Sequence, residues 1–215
     1  EVEGAGTSTI RIAGGRRLMG AEHRLAGDYI EAGSWVIAAA VSGGEIEVGG
    51  VRPEHLEPIT AVLTRMHVDC DVDEDRLRLR PSSPIGIRQI TTAPWPGFPS
   101  DMVSLISVLA TQATGRTLIH DWMYELRLFA LEQLSGMGAK LFLCDPHRMI
   151  VDGPARLTGR TLDSRDLRSG MALIAAALAA TGTSRIHPLE TVERGYAQLV
   201  VRLRALGAQI EVEDA

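Results

Sequence analysis

Several things are scarce in these 215 residues, and each scarcity excludes a class of function. Cysteine occurs twice, as Cys70 and Cys144, with no CxxC and no neighbouring His/Cys spacing. A disulfide framework and a zinc site are thereby excluded, and half-buried or buried free thiols in a reducing cytoplasm are expected. Lysine occurs once, as Lys140, so amine chemistry has almost no candidate. Aromatic residues make up 4%, too few for a base-stacking platform, and the net charge of −5 supplies no basic face for nucleic acid. The strongest apolar run, Met171 to Ala180, is about half the roughly 20 residues that span a bilayer, so no membrane association is expected. No charged-then-apolar leader opens the sequence, although a cleaved one would leave no trace. P-loop, GxGxxG and GxSxG patterns are missing, and the six histidines lack ligand spacing, so no metal site is expected. His23, His120 and His187 fall in or beside strands and are expected to face solvent or a local partner.

What is present is ordinary globular composition, 45% hydrophobic and 23% charged, organised as a repeat. Ala38-Ala-Ala-Val-Ser-Gly-Gly-Glu-Ile-Glu-Val48 reads as a helix end, a glycine stop and a strand. The same grammar returns at 109–119 and at 178–186. A second marker follows each by about 20 residues, as Gly136–Leu143 and Leu206–Val212, with a worn copy at Met66–Val72. Three units therefore succeed one another, over approximately 14–80, 81–152 and 153–213. Each reads as βαβαββ, giving six helices.

The first helix of each unit is small and aliphatic all round, hence buried. Its start carries an acidic or hydroxyl cap: the box Asp28-Tyr-Ile-Glu31, Ser100-Asp101, and Asp163. Second helices are expected over Pro53–Met66, Glu125–Ser135 and Glu193–Ala205, the middle one with apolar Leu126, Phe129, Ala130 and Leu134. Hairpins close the units, for example Leu141–Leu143 against Met149–Val151. Residues 1–13 look like the closing hairpin of an earlier unit, and no Met opens the chain. The expectation is a C-terminal portion of something longer, or one of two assembling chains.

Charged residues gather at the helix starts. Asp101 begins the first helix of unit two, and Asp166 and Arg168 lie in the first turn of the corresponding helix of unit three. Arg127 and Arg194 fall in the first turns of the second helices, against the helix dipole. Helix N-termini with arginines favour phosphate or carboxylate, and a carboxylate held there can act as a general base. Simpler roles remain open: Asp101 and Asp166 as caps, Asp166 as a partner of Arg165 or Arg168, and Arg127 and Arg194 as surface residues. Ala93-Pro-Trp-Pro-Gly-Phe-Pro-Ser100 holds three prolines and two aromatics, and reads either as a stiff device placing Asp101 or as plain loop packing.

Four segments in order, Asp28-Tyr-Ile-Glu-Ala-Gly-Ser34, Ala93–Met102, Asp166-Leu-Arg-Ser169 and Glu193-Arg-Gly-Tyr196, resemble the C-terminal half of the UDP-N-acetylglucosamine enolpyruvyl transferases. The resemblance runs over essentially the whole chain, and the sister shikimate-phosphate enolpyruvyl transferases fit these motifs less well. It implies an inside-out α/β barrel domain of three βαβαββ repeats around buried helices. It also implies transfer of the enolpyruvyl group of phosphoenolpyruvate to the 3′-hydroxyl of UDP-N-acetylglucosamine in the cytoplasm, with no metal or organic cofactor. By resemblance Asp101 is the general base, Asp166 and Arg194 are further catalytic residues, and Arg127 and Arg168 hold phosphoenolpyruvate. Met123 touches the sugar nucleotide through its backbone. The N-terminal domain that supplies the remaining groups is the expected partner, so this chain alone is expected to be inert. The sequence departs from the family at Tyr29, where arginine is usual, and at Leu126 and Leu128, which replace Asn and Phe beside Arg127. The rival class is a non-catalytic binding or regulatory half-domain, and a cousin acting on another nucleotide or nucleotide-sugar is the alternative acceptor.

Overall fold

A computed structural model describes residues 1–15, 17–125 and 127–213, leaving aside the side chain of Phe129. The departures expected at Leu126 and the apolar role of Phe129 lie outside the described residues. The chain opens with a short antiparallel pair, β1 (Val2–Glu3) and β2 (Arg11–Ile12), both exposed.

Unit one contains α1 (Tyr29–Val41), β3 (Ile46–Gly49), α2 (Pro53–Arg65), β4 (Cys70–Asp73) and β5 (Arg76–Leu79). Its strands form an antiparallel sheet with β5 in the middle. Leu77 and Leu79 point inward, while Arg78 ion-pairs outward with Glu47 at 2.8 Å and Arg80 with Asp71 at 2.5 Å. Unit two has β6 (Gln89–Thr91), a 3-10 turn at Ser100–Met102, α3 (Val103–Gln112) and β7 (Gly115–His120). A 3-10 turn at Arg127–Leu131, α4 (Glu132–Gly136), β8 (Lys140–Asp145) and β9 (Arg148–Gly153) complete it. The sheet order is β6-β7-β9-β8, parallel only between β6 and β7. The expected hairpin register holds, with Leu141 opposite Val151 and Leu143 opposite Met149. Unit three has β10 (Thr161–Asp163) parallel to β11 (Arg185–His187), with α5 (Leu167–Ala179), α6 (Glu190–Glu193) and α7 (Leu199–Ala205).

α1, α3 and α5 touch one another, and each packs on strands of its own unit. Their sequences explain this: Val103 to Thr111 is buried on every side, as is Ser169 to Ala176. Helices without a polar face are stable only when surrounded. The repeat is also visible in the backbone. Gly27 N–H donates to Gly50 O at 3.0 Å, Thr92 to His120 O at 3.0 Å and Ser164 to His187 O at 2.7 Å. Each bond ties the segment before an inner helix to the end of the strand after it.

The three copies differ in detail. No strand is assigned between residues 14 and 28 among the described residues, so the Gly27–Gly50 bond alone marks that position in unit one. Residues 208–213 carry no assigned strand, so unit three lacks the expected closing hairpin within the described chain. Of the second helices, α2 runs almost as expected, opened by Pro53 at its first position. In unit two the expected Glu125–Ser135 helix is a 3-10 turn followed by one turn of α-helix. In unit three it breaks into α6 and α7, because Gly195 is a weak helix former and buried Tyr196 draws the chain inward.

The worn marker has a physical reading. Met66-His67, Met137-Gly138 and Leu206-Gly207 all end second helices, and His67 adopts φ 59° where Gly138 and Gly207 have φ 106° and 98°. A left-handed conformation strains a residue with a Cβ, and His67 is exposed, so nothing else is lost by replacing it. His67→Gly is expected to raise stability by about 0.5–1 kcal/mol, read from urea unfolding.

Candidate functional site

Asp101 sits in the 3-10 turn before α3 and does not cap a helix, since its carboxylate faces away from the backbone toward two arginines. Oδ1 accepts from Arg127 Nη2 at 3.2 Å, and Oδ2 lies 3.0 Å from Arg168 Nη2 and 3.1 Å from its Nε. Arg127 is brought from the turn after β7 and Arg168 from the first turn of α5, so two units meet at one carboxylate. The Arg127 side chain is only 9% exposed, its guanidinium 4.5 Å from the ring centre of Tyr124. Its Nε and Nη1 are buried without hydrogen-bond partners, the only charged groups so placed among the described residues. Burying such donors without an acceptor costs more than an ordinary hydrogen bond returns, so the position is suited to an incoming anion. Asp101 itself is 42% exposed, within reach of solvent or substrate.

The loop carrying Asp101 is built as its proline content suggested. Ala93 N–H donates to Phe98 O at 3.0 Å and Gly97 N–H to Pro94 O at 2.7 Å, closing the loop on itself. Phe98 anchors it in the core, while Trp95 stays exposed with its ring edge-on to Tyr29 and His55.

A second network lies behind Arg168. The Tyr196 hydroxyl is fully buried, 2.8 Å from Ser34 Oγ and 3.4 Å from Arg168 Nη1. Burial pulls the Arg168 guanidinium toward neutrality, but the Tyr196 hydroxyl and Asp101 outweigh it and its pKa moves up. Burial likewise raises the Tyr196 phenol, against the opposing bonds from Ser34 and Arg168. Tyr29 is raised by burial first, then by the negative charges of Asp101 and Asp28, with Arg168 pulling the other way. Both folded values exceed the ordinary value of 10.0, so these phenols favour the fold fully below that pH. Their contribution is lost as pH rises through the folded values. Phenolate absorbance from Tyr29 and Tyr196 is therefore expected above pH 10, with stability falling over the same range. Tyr196→Phe is expected to remove one late component, read at the phenolate absorption band.

The other expected site residues are placed differently. Asp166 is an N-cap: Oδ1 accepts from Arg168 N–H and Ser169 N–H, both at 2.9 Å, and its side chain does not join the Asp101 cluster. It, and not Asp163, caps α5; Asp163 ends β10 and ion-pairs with Arg165 at 3.1 Å. Arg194 does not begin a helix as expected. It follows the last residue of α6, is exposed, and makes no ion pair with the described residues. The break at Gly195 and Tyr196 is what displaces it. Met123 is exposed, and its backbone N–H donates to Asp121 Oδ1 at 3.2 Å. Only half of the box at α1 forms among the described bonds: Asp28 accepts from Ile30 and Glu31, while Glu31 turns to Trp35 and Arg202.

Asp121 was missed in the sequence reading. It is wholly buried at the end of β7, and its carboxylate binds Thr92, Ser100 and Met123 beside Arg127. An aspartate between a strand and Trp122 reads as an ordinary turn residue, so only its burial distinguishes it. Cys144 is exposed, contrary to the expected burial, because the alternation of β8 puts it on the outward face with Lys140 and Phe142. Cys70 is half-buried, and burial with Asp69 and Asp71 pushes its thiol up to about 11. His23 and His187 are exposed, and His120 is half-buried in β7. Among the described residues no His, Cys, Asp and Glu cluster has the geometry to hold a metal, and no helix is long and apolar enough to cross a membrane.

The chain is similar to known proteins over most of its length. The sequence profile of EPSP synthase (3-phosphoshikimate 1-carboxyvinyltransferase) matches residues 1–203. The chain is 38% identical to UDP-N-acetylglucosamine 1-carboxyvinyltransferase of Treponema denticola, over 100% of this chain and 52% of that protein. It is 39% identical to the protein of the same name from Bradyrhizobium diazoefficiens, over 98% and 51%. Among solved structures, the enolpyruvyl transferase NikO from Streptomyces tendae superposes with TM-score 0.76 at 29% identity, covering 87% of this chain and 44% of that one. An EPSP synthase from Acinetobacter baumannii shares the fold at TM-score 0.80 and 21% identity, over 100% and 53%. The chain thus spans about half the length of the curated relatives it matches. With three α/β repeats around mutually packed helices and a profile match over residues 1–203, the chain belongs to the EPSP synthase family.

Proposed function

We propose that this chain is the C-terminal half of a cytoplasmic enolpyruvyl transferase acting in peptidoglycan synthesis. The reaction moves the enolpyruvyl group of phosphoenolpyruvate to the 3′-hydroxyl of UDP-N-acetylglucosamine and releases phosphate. The observation that carries the reading is Arg127, buried with two nitrogens that make no hydrogen bond while it shares Asp101 with Arg168. The names of the curated relatives support the same acceptor.

In this reading Asp101 accepts the proton of the attacking hydroxyl. Arg127 and Arg168 hold the anionic charge of phosphoenolpyruvate and of the tetrahedral adduct. Both guanidiniums are pre-set by existing contacts, so little reorganisation accompanies the reaction. Arg194, exposed here, turns to the phosphoenolpyruvate carboxylate, Asp166 steadies Arg168 through the start of α5, and the Met123 backbone meets the sugar nucleotide. The rest of the site comes from the N-terminal domain or a companion chain. The 215-residue chain alone is therefore expected to release no phosphate from the two substrates, and to do so once the other half is supplied. Turnover by the chain alone would refute this reading.

Tyr29 favours testing a second acceptor. A phenol packed on Trp95 stands where the family usually has an arginine, so the charge offered to the acceptor differs. Competition between UDP-N-acetylglucosamine and other nucleotides or nucleotide-sugars, in the assembled protein, decides between them.

A further inference from the structure

Asp121 is the only charged residue wholly without solvent exposure among the described residues. Four groups converge on its carboxylate. Oδ1 accepts from Thr92 Oγ1 at 3.0 Å and from Met123 N–H at 3.2 Å. Oδ2 accepts from Ser100 Oγ at 2.6 Å and lies 3.8 Å from Arg127 Nε. Its backbone is fixed as well, since its N–H donates to His147 O at 2.8 Å and its carbonyl lies 2.8 Å from His147 Nδ1. Trp122 adds a further tie, its indole N–H donating to Thr92 O at 2.6 Å.

Thr92 and Ser100 are the two feet of the 93–99 loop, and Asp101 follows Ser100 directly. Met123 and Arg127 lie on the segment that leaves Asp121 in the other direction. A single buried carboxylate therefore ties the base of the loop that presents Asp101 to the base of the segment that presents Arg127. We propose that Asp121 is a positioning residue that sets Asp101 and Arg127 against each other. It touches no substrate in this reading, which rests on Asp101 and Arg127 forming the anion-handling wall. Groups that hold reacting side chains at fixed separation matter because misplacement by about 1 Å costs about 10²-fold in rate.

The test uses the 215-residue chain, nitrogen-labelled, with the Nε–H signals of Arg127 and Arg168 followed first without any anion. Asp121→Asn keeps the shape and an acceptor oxygen. It is expected to shift the Arg127 Nε–H and Met123 amide signals and to speed Arg127 Nε–H exchange by about tenfold. Arg168, which bonds Tyr196 as well as Asp101, is expected to shift less than Arg127. Inorganic phosphate is then expected to bind about tenfold more weakly than to the unaltered chain. An unmoved Arg127 signal with unchanged exchange overturns the proposal. Should Asp121→Asn fail to fold, Ser100→Ala removes one foot while keeping the carboxylate. That variant is expected to shift the Asp101 and Met102 amides and leave Arg127 Nε–H in place; unshifted amides overturn the proposal equally. Failure of the unaltered chain to bind phosphate at Arg127 would count against the proposed function, while the comparison made without anion still decides the role of Asp121.

Discussion

Asp101→Ala is expected to lower turnover by about 10²–10⁴-fold in the protein that joins this chain to the other half of its relatives' length. In the proposed reaction the loss falls on the chemical step, because Asp101 is there the group that takes the hydroxyl proton. Stability is expected to fall as well, because the alanine leaves the Arg127 and Arg168 side chains, 9% and 18% exposed, without the carboxylate they share. Asp101→Asn separates charge from shape. It keeps an oxygen for Arg127 and Arg168 but cannot take a proton, so it is expected to lose turnover like the alanine variant. Its binding of inorganic phosphate is expected to hold or tighten, because one negative charge has left a pair of guanidiniums. Rapid-quench measurement of phosphate release reads the first effect and titration of phosphate reads the second. Turnover unchanged in Asp101→Ala would remove Asp101 from the mechanism.

The largest stability effect is expected in α3, the inner helix of the middle unit. Leu105, Ile106, Val108 and Leu109 are all at 0% exposure, with both other inner helices packed against the same cylinder. Leu109→Ala leaves a cavity that the neighbours cannot close without moving α1 and α5 together. The expected cost is about 3–4 kcal/mol, a large part of the roughly 5–15 kcal/mol that holds a typical domain. Urea unfolding measures it as a shift of midpoint at constant slope. A cost below about 1 kcal/mol would mean that α3 is not the packed centre of the three repeats.

The difference between what was legible in the sequence and what was not has a physical pattern. The inner helices were legible because burial on all sides demands an unbroken aliphatic surface, as in Met171 to Ala180. The hairpin of unit two was legible because its strands alternate around Asp145-Pro-His. Asp101 and Arg127 were singled out by position and do meet, yet Asp101 sits in a 3-10 turn instead of capping a helix. Where long-range contacts overrule local preference, the structure departs from what the sequence predicts. Arg194 left its expected helix start because Tyr196, two residues on, is drawn to Ser34 across the domain. The cap of α5 moved from Asp163 to Asp166, since β10 extends through Asp163 to pair with β11. Asp121 could not be found at all, because what marks it is four partners, two of them more than 20 residues away.

In the proposed site, Arg127 and Arg168, joined by Asp101, form an anion-binding wall. Titration of phosphoenolpyruvate into the chain, watching the arginine Nε–H signals, tests it most directly. Arg127 and Arg168 are expected to shift together along one saturating curve, and Arg127→Ala to abolish the Arg168 shift. Signals that move instead at the exposed Arg76, Arg78 and Arg80 ladder, or binding that survives Arg127→Ala unchanged, would contradict it.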